Sequence, residues 1–387
     1  MTIQSPVDET KTISFADIVH TGPGTIAGRY MRNFWQPICL SESIEPGRAR
    51  REMIMSQYVT VYRGQGGQIH AVADRCPHRG TQLSVGWVEK DSIRCFYHGW
   101  LFNGHGQCME QPAERESQAS KIKIAGYPVR EYLGFVFIYL GEGEAPEFPV
   151  YPEIEDEKDG QLIIQTTAPI PCNFFQRVEN AVDQVHVAFA HRDVYGQEGM
   201  GSLPEYRVEE TDYGICAHGE RDDAGDRVTH FHMPNINVLM VPPGRGEAAW
   251  APFVTWRVPV DDESYRNFAV RRIRMKPGMK PSYPDRSQEQ VDVARAIVEG
   301  RMRLDDIDPT DRGLLIPVQD NIAQMAQGTI ADRSQDHLAR SDIGVAMLRR
   351  IWRRELERLA AGEPVKHWQR PEGGLTLQSG APQGAAA

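Results

Sequence analysis

The sequence predicts an α+β protein in two unequal parts: a small all-β module, then a larger unit that combines an antiparallel sheet with helices. Three observations carry this. From about residue 35 to 141 the chain runs in short β-rich stretches separated by glycine. Residues 142 to 159 then change character, with Glu142, Glu144, Glu147, Glu153, Glu155, Asp156, Glu157 and Asp159 interleaved with Pro146, Pro149 and Pro152, the composition of a solvated boundary loop. Beyond it, apolar residues recur at helical spacing (Phe175, Val178, Val182, Val185, Phe189), and three later stretches, 229–241, 249–259 and 267–275, alternate apolar with polar. That alternation is the pattern of an antiparallel sheet with one face buried. At 387 residues there is room for two domains. The expected division is an N-terminal segment 1–34, a β-module 35–150, a second domain 151–370 and a disordered tail 371–387, rich in Gly, Ala and Pro.

The elements can be taken in order. Phe15, Ile18 and Val19 mark a short helical pattern. Thr21-Gly-Pro-Gly24-Thr-Ile-Ala27-Gly28 then fits a dinucleotide-binding fingerprint in spelling only, because no apolar strand precedes it and no βαβ unit follows. Met53–Tyr62, Ile69–Asp74, Ser92–Phe96 and Phe135–Leu140 read as strands, with Gly64, Gly66 and Gly67 marking a hairpin turn. Helices are expected over 174–191, 288–303, from Pro317 onward, and over 348–359.

Composition narrows the function classes. With 40% hydrophobic and 25% charged residues the chain is an ordinary globular protein, and its formal charge of −10 disfavours nucleic acid or an anionic membrane as partner. No apolar run approaches the roughly 18–20 residues that span a bilayer, and residues 1–10 lack the basic and apolar regions of a secretory signal. Cys39, Cys108, Cys172 and Cys216 are scattered, as buried thiols of a reducing compartment would be, so a cytoplasmic location is expected.

The other two of the six cysteines stand in Cys76-Pro-His78 and, sixteen residues on, Cys95-Phe-Tyr-His98. Two thiolates and two imidazoles are too soft a set for calcium or magnesium and suit zinc or an iron–sulfur centre. A zinc knuckle would group like with like; here each loop offers one ligand of each type and is followed by glycine. A [2Fe–2S] cluster with Cys₂ on one iron and His₂ on the other requires two such mixed loops. The second constellation is His186 and His191 on the predicted helix. Two imidazoles and a carboxylate make the facial triad of non-haem Fe(II) oxygenases. Residues five apart are about 140° apart around an α-helix, so the pair can share a metal only if the helix bulges or ends between them. The plain alternative is two histidines on a helix edge. His230 and His232, two apart on one predicted strand, share a face and suit pocket or core roles.

Cys-Pro-His-Arg-Gly with Cys-x-Tyr-His-Gly-Trp resembles a Rieske motif, and Glu-Asn-x-x-Asp-x-x-His-x-x-x-x-His resembles the mononuclear-iron helix of Rieske oxygenases. Its short Asn-to-Asp gap is similar to the phthalate dioxygenase, vanillate O-demethylase and dicamba demethylase branch. Gly22-Pro-Gly-Thr25, Arg32-Asn-Phe-Trp-Gln-Pro37 and the run Asp332 to Asp342 fit that branch too, so the resemblance spans Gly22 to about Arg358. It implies a Rieske [2Fe–2S] domain followed by a helix-grip catalytic domain, together the terminal oxygenase component. Cys76, His78, Cys95 and His98 would hold the cluster. His186, His191 and an acid from the C-terminal part would hold Fe(II); Asp320 is the choice, with Asp332, Asp336 and Asp342 as alternatives. Asn180 and Asp183 are the catalytic candidates. In the family such an aspartate links the centres by bonding a cluster histidine, here His98 or His78 of the partner subunit, which implies a homotrimer or a multiple of trimers.

No flavin or nicotinamide site is evident, so the resemblance implies NAD(P)H electrons delivered by a separate flavin/[2Fe–2S] reductase. The substrates would be O₂ and an aromatic compound, carboxylated, methoxylated or ether-linked, either hydroxylated or O-demethylated. Phe231, Met233, Ile236, Val238 and Met240 are candidate pocket walls, and Arg192, Arg207 and Arg257 candidate partners for a substrate carboxylate. The basic helix carrying Arg349, Arg350, Arg353 and Arg354 reads as a solvated face before it reads as a reductase dock. A Rieske protein that only carries electrons is the alternative, and the 240 or so residues after the β-module count against it.

Overall fold

In a computed structural model, residues 12–155, 160–195, 201–221, 225–244 and 246–378 are described; the acidic residues 156–159 and the last part of the expected tail, 379–387, lie outside them. Two short helices open the chain. Helix α1 (Phe15–Val19) is capped by Ser14, whose side chain accepts from the Asp17 amide, and α2 (Ile26–Arg32) by Thr25, which accepts from the Gly28 amide.

The β-module follows as two four-stranded antiparallel sheets. One runs in the order Ala49–Ile54, Gln57–Arg63, Ile69–Ala73, Gly126–Tyr127; the other is Trp87–Glu89, Ser92–Arg94, Leu101–Asn103, Cys108–Glu110. The single strand expected over 53–62 is instead two strands of a tight hairpin. Met55 and Ser56 form its turn with φ of 49° and 58°, a left-handed pair normally supplied by Asn or Gly. Their amides donate to the carbonyls of Pro259 (2.9 Å) and Val260 (2.8 Å) in the second domain, so a tertiary contact holds a turn the local sequence does not announce. The turn at Gly64–Gly67 is as expected, closed by Gly67 N to Gly64 O at 3.0 Å with Gly67 at φ 93°.

A third small sheet (Gln36–Leu40, Phe135–Ile138, Val129–Tyr132) bridges to the second domain. Phe135 and Phe137 are fully buried and meet Phe268 and Trp256 of the large sheet at centroid distances of 5.5 and 5.4 Å. That large sheet has seven antiparallel strands in the order Gln161–Thr166, Tyr265–Ile273, Ala251–Pro259, Ile236–Val241, Gly225–His232, Gly214–Arg221, Glu205–Glu210. Pairing fixes which residues share a face. Thr255 pairs with Asn237 and Asn237 with Phe231, while Val254 pairs with Val238 and Val238 with His230. The second set faces the β-module's aromatic residues; the first faces the helices that follow.

Those helices are α3 (Phe174–Ala181), α4 (His186–Ala190), α5 (Ser287–Val298), α6 (Arg312–Met325) and α7 (Ile343–Ala360). Helix α6 begins five residues before the expected start at Pro317. Asp311 caps it, accepting from the Leu314 amide at 3.2 Å. Pro317 has no N–H for the carbonyl four residues back, and Gln290 of α5 supplies the missing donor to Gly313 O at 3.0 Å. Asp320 therefore lies mid-helix, so the dipole explanation for an acid at a helix start does not apply to it. Residues 371–378, expected as the start of a disordered tail, pack on the core through Leu375 and Leu377, and Glu153 accepts from the Leu375 amide and pairs with Arg370. Among the described residues no helix is long and apolar enough to cross a membrane.

The long helix α7 is locked at its centre by Trp352, fully buried against Tyr30 (5.2 Å), Phe175 (5.5 Å) and Phe174 (6.0 Å). Trp352→Ala is expected to cost about 3–5 kcal/mol through lost transfer energy plus the cavity left behind. Urea unfolding checks this; a loss under 1 kcal/mol would mean α7 is not held there.

Candidate active site

The two cysteine–histidine loops are built alike. Cys76 N–H donates to Thr81 O (2.9 Å) and its carbonyl accepts from Gly80 N (2.9 Å); Cys95 N–H donates to Trp100 O (2.8 Å) and its carbonyl accepts from Gly99 N (3.0 Å). Gly80 and Gly99 have φ of 76° and 74°, which is why each motif ends in glycine. The turns fold both thiols inward, each at most 2% exposed, while the imidazoles stay at the surface. Burial, with the neighbouring Cys95 thiol adding to it, pushes the Cys76 thiol up to about 12; a bound metal would have to offset this, since only the thiolate ligates. The His78 and His98 rings lie 4.4 Å apart, and His78 stacks on Trp100 at 4.7 Å. Thiols inside and imidazoles outside fit a cluster with a Cys₂ iron and a His₂ iron. Among the described residues, the groups that bring three donor atoms within 4.8 Å of one another do not include this set, so its spread is wider than a one-ion zinc site.

The predicted helix over 174–191 is broken, and the break makes the second site. Helix α3 stops at Ala181. Asp183 then turns the chain, its Oδ1 accepting from the amides of Val185 (2.8 Å) and His186 (3.2 Å). Helix α4 starts at His186 and ends at Ala190, and His191 is already non-helical at φ −109°, ψ 18°. Of the two expected devices, a bulge or an end, the chain uses the end. His186 Nε2 and His191 Nε2 come within 3.9 and 3.4 Å of Asp320 Oδ1, and the three donor atoms all lie within 4.8 Å of one another. The alternative acids are occupied elsewhere: Asp332 accepts from Ser334 N, Asp336 pairs with Arg349 and Asp342 accepts from Ala339 N.

The surroundings suit a divalent metal. Asp320 Oδ1 is buried and has no hydrogen-bond donor, while Oδ2 pairs with Arg177 Nη1 at 2.9 Å. Burial opposes ionisation of Asp320, but Arg177 and the two imidazoles outweigh it and hold the carboxyl far below its usual range. Asn180 Oδ1 accepts from Arg177 Nη1 at 2.8 Å, so Asn180 bears on the site through that guanidinium. His191 Nδ1 meets Gln319 Oε1 at 2.9 Å. If that nitrogen donates, the Nε2 lone pair faces the other two donors. Sequence reasoning missed Arg177 and Gln319; a cation one turn before Asn180, and an amide adjoining the chosen acid, were the available signals.

On the sheet, Gln184 Nε2 reaches Thr229 Oγ1 at 3.4 Å, which places the face bearing Thr229, Phe231, Asn237, Thr255 and Arg257 toward the metal-site helices. Of the expected pocket walls on strands, Phe231 shares that face; Ile236, Val238 and Met240 point to the opposite one, one residue out of step. Met233 lies in the turn between strands and is buried in the core. Of the three candidate arginines, Arg192 is exposed beside Asp193 and Arg207 is exposed, whereas Arg257 is 3% exposed. Arg257 pairs with no carboxylate; its Nη1 is 3.4 Å from Thr255 O and its Nε has no partner. Burial, and then Arg177, push it down to about 9, while Tyr265 and Asp320 oppose the shift. On α7, Arg349 and Arg354 are engaged by Glu179 and Glu210, leaving Arg350 and Arg353 exposed.

A family model described as the Rieske [2Fe-2S] domain matches residues 34–132. The chain is 29% identical to the phenoxybenzoate dioxygenase subunit alpha of Ectopseudomonas oleovorans, over 96% of each protein. It is 32% identical to the tert-butanol monooxygenase / tert-amyl alcohol desaturase oxygenase subunit of Aquincola tertiaricarbonis, covering 90% of this chain and 78% of that one. Among solved structures, the fold is similar to that of the Pseudomonas putida CBB5 NdmA QL mutant with theobromine, with a TM-score of 0.65 at 20% identity, over 86% of this chain and 93% of that one.

Two substitutions test the site as built. Asp320→Ala is expected to retain the cluster's visible absorption and lose the mononuclear iron. Gln319→Leu is expected to keep both centres but weaken the mononuclear iron about 10- to 100-fold, the usual cost of removing a ligand's outer partner. Iron analysis after graded chelation reads both; unchanged iron retention in Gln319→Leu would exclude the orienting role.

Proposed function

Since the chain belongs to the family of Rieske-type oxygenase subunits, we propose that it is the terminal component of a system that hydroxylates or oxidatively O-demethylates a carboxylated aromatic compound. The observation that carries this is the buried, unpaired Arg257 on the sheet face turned to the His186–His191–Asp320 group. A guanidinium without a counter-charge in such a place is costly, and a substrate carboxylate would offset that cost. The relatives named for phenoxybenzoate and phthalate act on compounds of that class by name.

When bound, the cluster supplies one-electron transfer and the ferrous ion supplies O₂ activation. The chain's own residues do the rest. Asp320, kept ionised by Arg177, and the two histidines bring together three donor atoms that would hold the ferrous ion. Gln319 fixes the His191 ring. Arg257 would hold the substrate by its carboxylate, so that the ring or methoxyl carbon to be oxidised is fixed beside that group. Asp183, with Oδ1 committed to two amides, keeps Oδ2 3.7 Å from His186 Nδ1 and 29% of its side chain exposed, so it can also reach a partner. We assign that partner as His98 or His78 of the partner subunit, in a homotrimer or a multiple of trimers. The exposed apolar residues at the two ends of such a contact support it: Trp87 (52%), Phe96 (58%) and Tyr97 (51%) beside the cluster loops, and Phe189 (63%) beside His186.

Electrons would come from NAD(P)H through a separate flavin/[2Fe–2S] reductase. One neighbouring fold is that of an oxygenase in complex with ferredoxin, from carbazole 1,9a-dioxygenase, which supports transient electron-transfer contacts. Six buried cysteines, none in a disulfide, support a reducing cytoplasm.

The deciding experiment is product analysis. Iron-loaded protein, a Rieske reductase, NADH and ¹⁸O₂ are combined with phthalates, methoxybenzoates, phenoxybenzoates and tert-butanol. Formaldehyde plus a phenol identifies an O-demethylase, a labelled cis-diol a ring dioxygenase. Oxidation of tert-butanol alone would replace the aromatic reading with the one suggested by the relative that acts on it. With an aromatic substrate in hand, Arg257→Gln should raise KM about 10- to 100-fold, the equivalent of the ~1.5–3 kcal/mol of a charged hydrogen bond, and should spare the matching amide. Asp183→Asn should keep its iron and lose O₂-coupled turnover; normal turnover would remove the bridging role.

A further inference from the structure

A second group of ligand-type side chains lies on the opposite face of the same sheet, at its far edge. Glu209 pairs across the strands with Cys216, and His218 stands two residues beyond Cys216, so all three share one face. Cys216 Sγ is 3.2 Å from His218 Nε2, which is 3.9 Å from Glu209 Oε1, and the three donor atoms lie within 4.8 Å of one another. The next strand places His230 directly opposite Cys216. His230 is 7% exposed; its Nδ1 meets Tyr213 Oη at 2.8 Å, and a backbone hydrogen bond with Thr376 also engages its ring. His218 is one of the neighbours that depress the protonation of His230, so the two rings are close.

We propose that Glu209, Cys216 and His218 form a second metal site that binds a zinc-class divalent cation, with the fourth position left to solvent. One thiol, one imidazole and one carboxylate, with solvent in the fourth position, are a borderline-soft set suited to tetrahedral zinc rather than to magnesium or calcium. Zinc–sulfur and zinc–nitrogen bonds of about 2.3 and 2.0–2.1 Å set tetrahedral S and N atoms about 3.6 Å apart. The present Cys216–His218 contact opens by a few tenths of an ångström to admit the ion. Binding forms one zinc–sulfur bond and releases the thiol proton to solvent, so affinity rises with pH. The site is distinct from the iron group, which lies on the other face. Its cover includes Leu375, which packs on Tyr213, Cys216 and Val228, so the ion would tie the edge strands beneath the C-terminal segment.

The test uses iron-loaded full-length protein and zinc alone, in competition with a chromophoric chelator, with iron content and Tm followed in parallel. Wild type is expected to take up one zinc per chain without losing iron and to gain thermal stability from it. Cys216→Ser and the milder His218→Gln are each expected to weaken zinc at least about 100-fold, beyond what loss of an outer partner costs, with iron content and turnover unchanged. Asp320→Ala should bind this zinc as wild type does. Zinc uptake that persists in both Cys216→Ser and His218→Gln, that vanishes in Asp320→Ala, or that displaces iron in wild type would overturn the proposal.

Discussion

A buried carboxylate among imidazoles stays ionised only if something pays its desolvation, and in this chain that is Arg177. Its ion pair with Asp320 leaves the second carboxylate oxygen directed at His186 and His191. Removing one partner of a buried pair costs about 3–5 kcal/mol because the other charge is stranded, so α3 and α6 are held in one relative position. Much of the surrounding structure serves that position. Gln290 completes the Pro317 turn that carries Asp320. Gln176 Nε2 donates to Gln324 O at 2.7 Å, and Tyr265 Oη to Gln324 Oε1 at 2.7 Å, tying α3, α6 and the sheet together. On the other side of α3, buried Glu179 takes Arg333 and Arg349, which fixes α7.

The β-module follows the opposite logic. Its two cysteine–histidine pairs are placed by backbone turns rather than by charge, the same five-residue turn used twice. Thiols in the interior and imidazoles at the surface give a centre that is anchored on one side and accessible on the other. The histidine side is therefore the one that another protein surface can reach, and the aromatic rim around it is apolar enough to be worth covering.

What the sequence made legible was whatever depends on local spacing. The twin cysteine–histidine loops, the His186–His191 pair with its required helix distortion, and the alternating strands are all short-range patterns. What it concealed depends on contacts from far away. The Met55–Ser56 turn exists because Pro259 and Val260 accept its amides. The early start of α6 depends on a glutamine from α5. Gln319 matters only because α4 stops one residue before His191. Ile236, Val238 and Met240 lie a single residue of register away from the face turned to the His186–His191–Asp320 group, and in a strand that step exchanges every side chain for its neighbour. Leu375 and Leu377 sit in a stretch whose composition is that of a flexible tail, and only their packing against the core, from far away in sequence, makes them partly buried.

The sheet separates two kinds of chemistry by that same alternation. One face carries Val238, Val254 and Trp256 into the aromatic core beneath the β-module and, at its edge, the thiol and imidazoles of Cys216, His218 and His230. The other carries Thr229, Asn237, Thr255 and Arg257 beneath His186, His191 and Asp320, and there the hydrogen-bond accounts do not close: Asn237 Oδ1 and Arg257 Nε are buried without partners. A chain selected for stability alone would fill such positions with apolar residues, since an unsatisfied buried polar group costs about 1–3 kcal/mol and a charged one more. The reverse face also leaves His232 Nε2 and Trp256 Nε1 without partners, but its guanidinium, that of Arg370 beside His232, is paired with Glu153, whereas Arg257 has no carboxylate. That difference is the physical argument for the proposal that a substrate carboxylate sits between Arg257 and the His186–His191–Asp320 group.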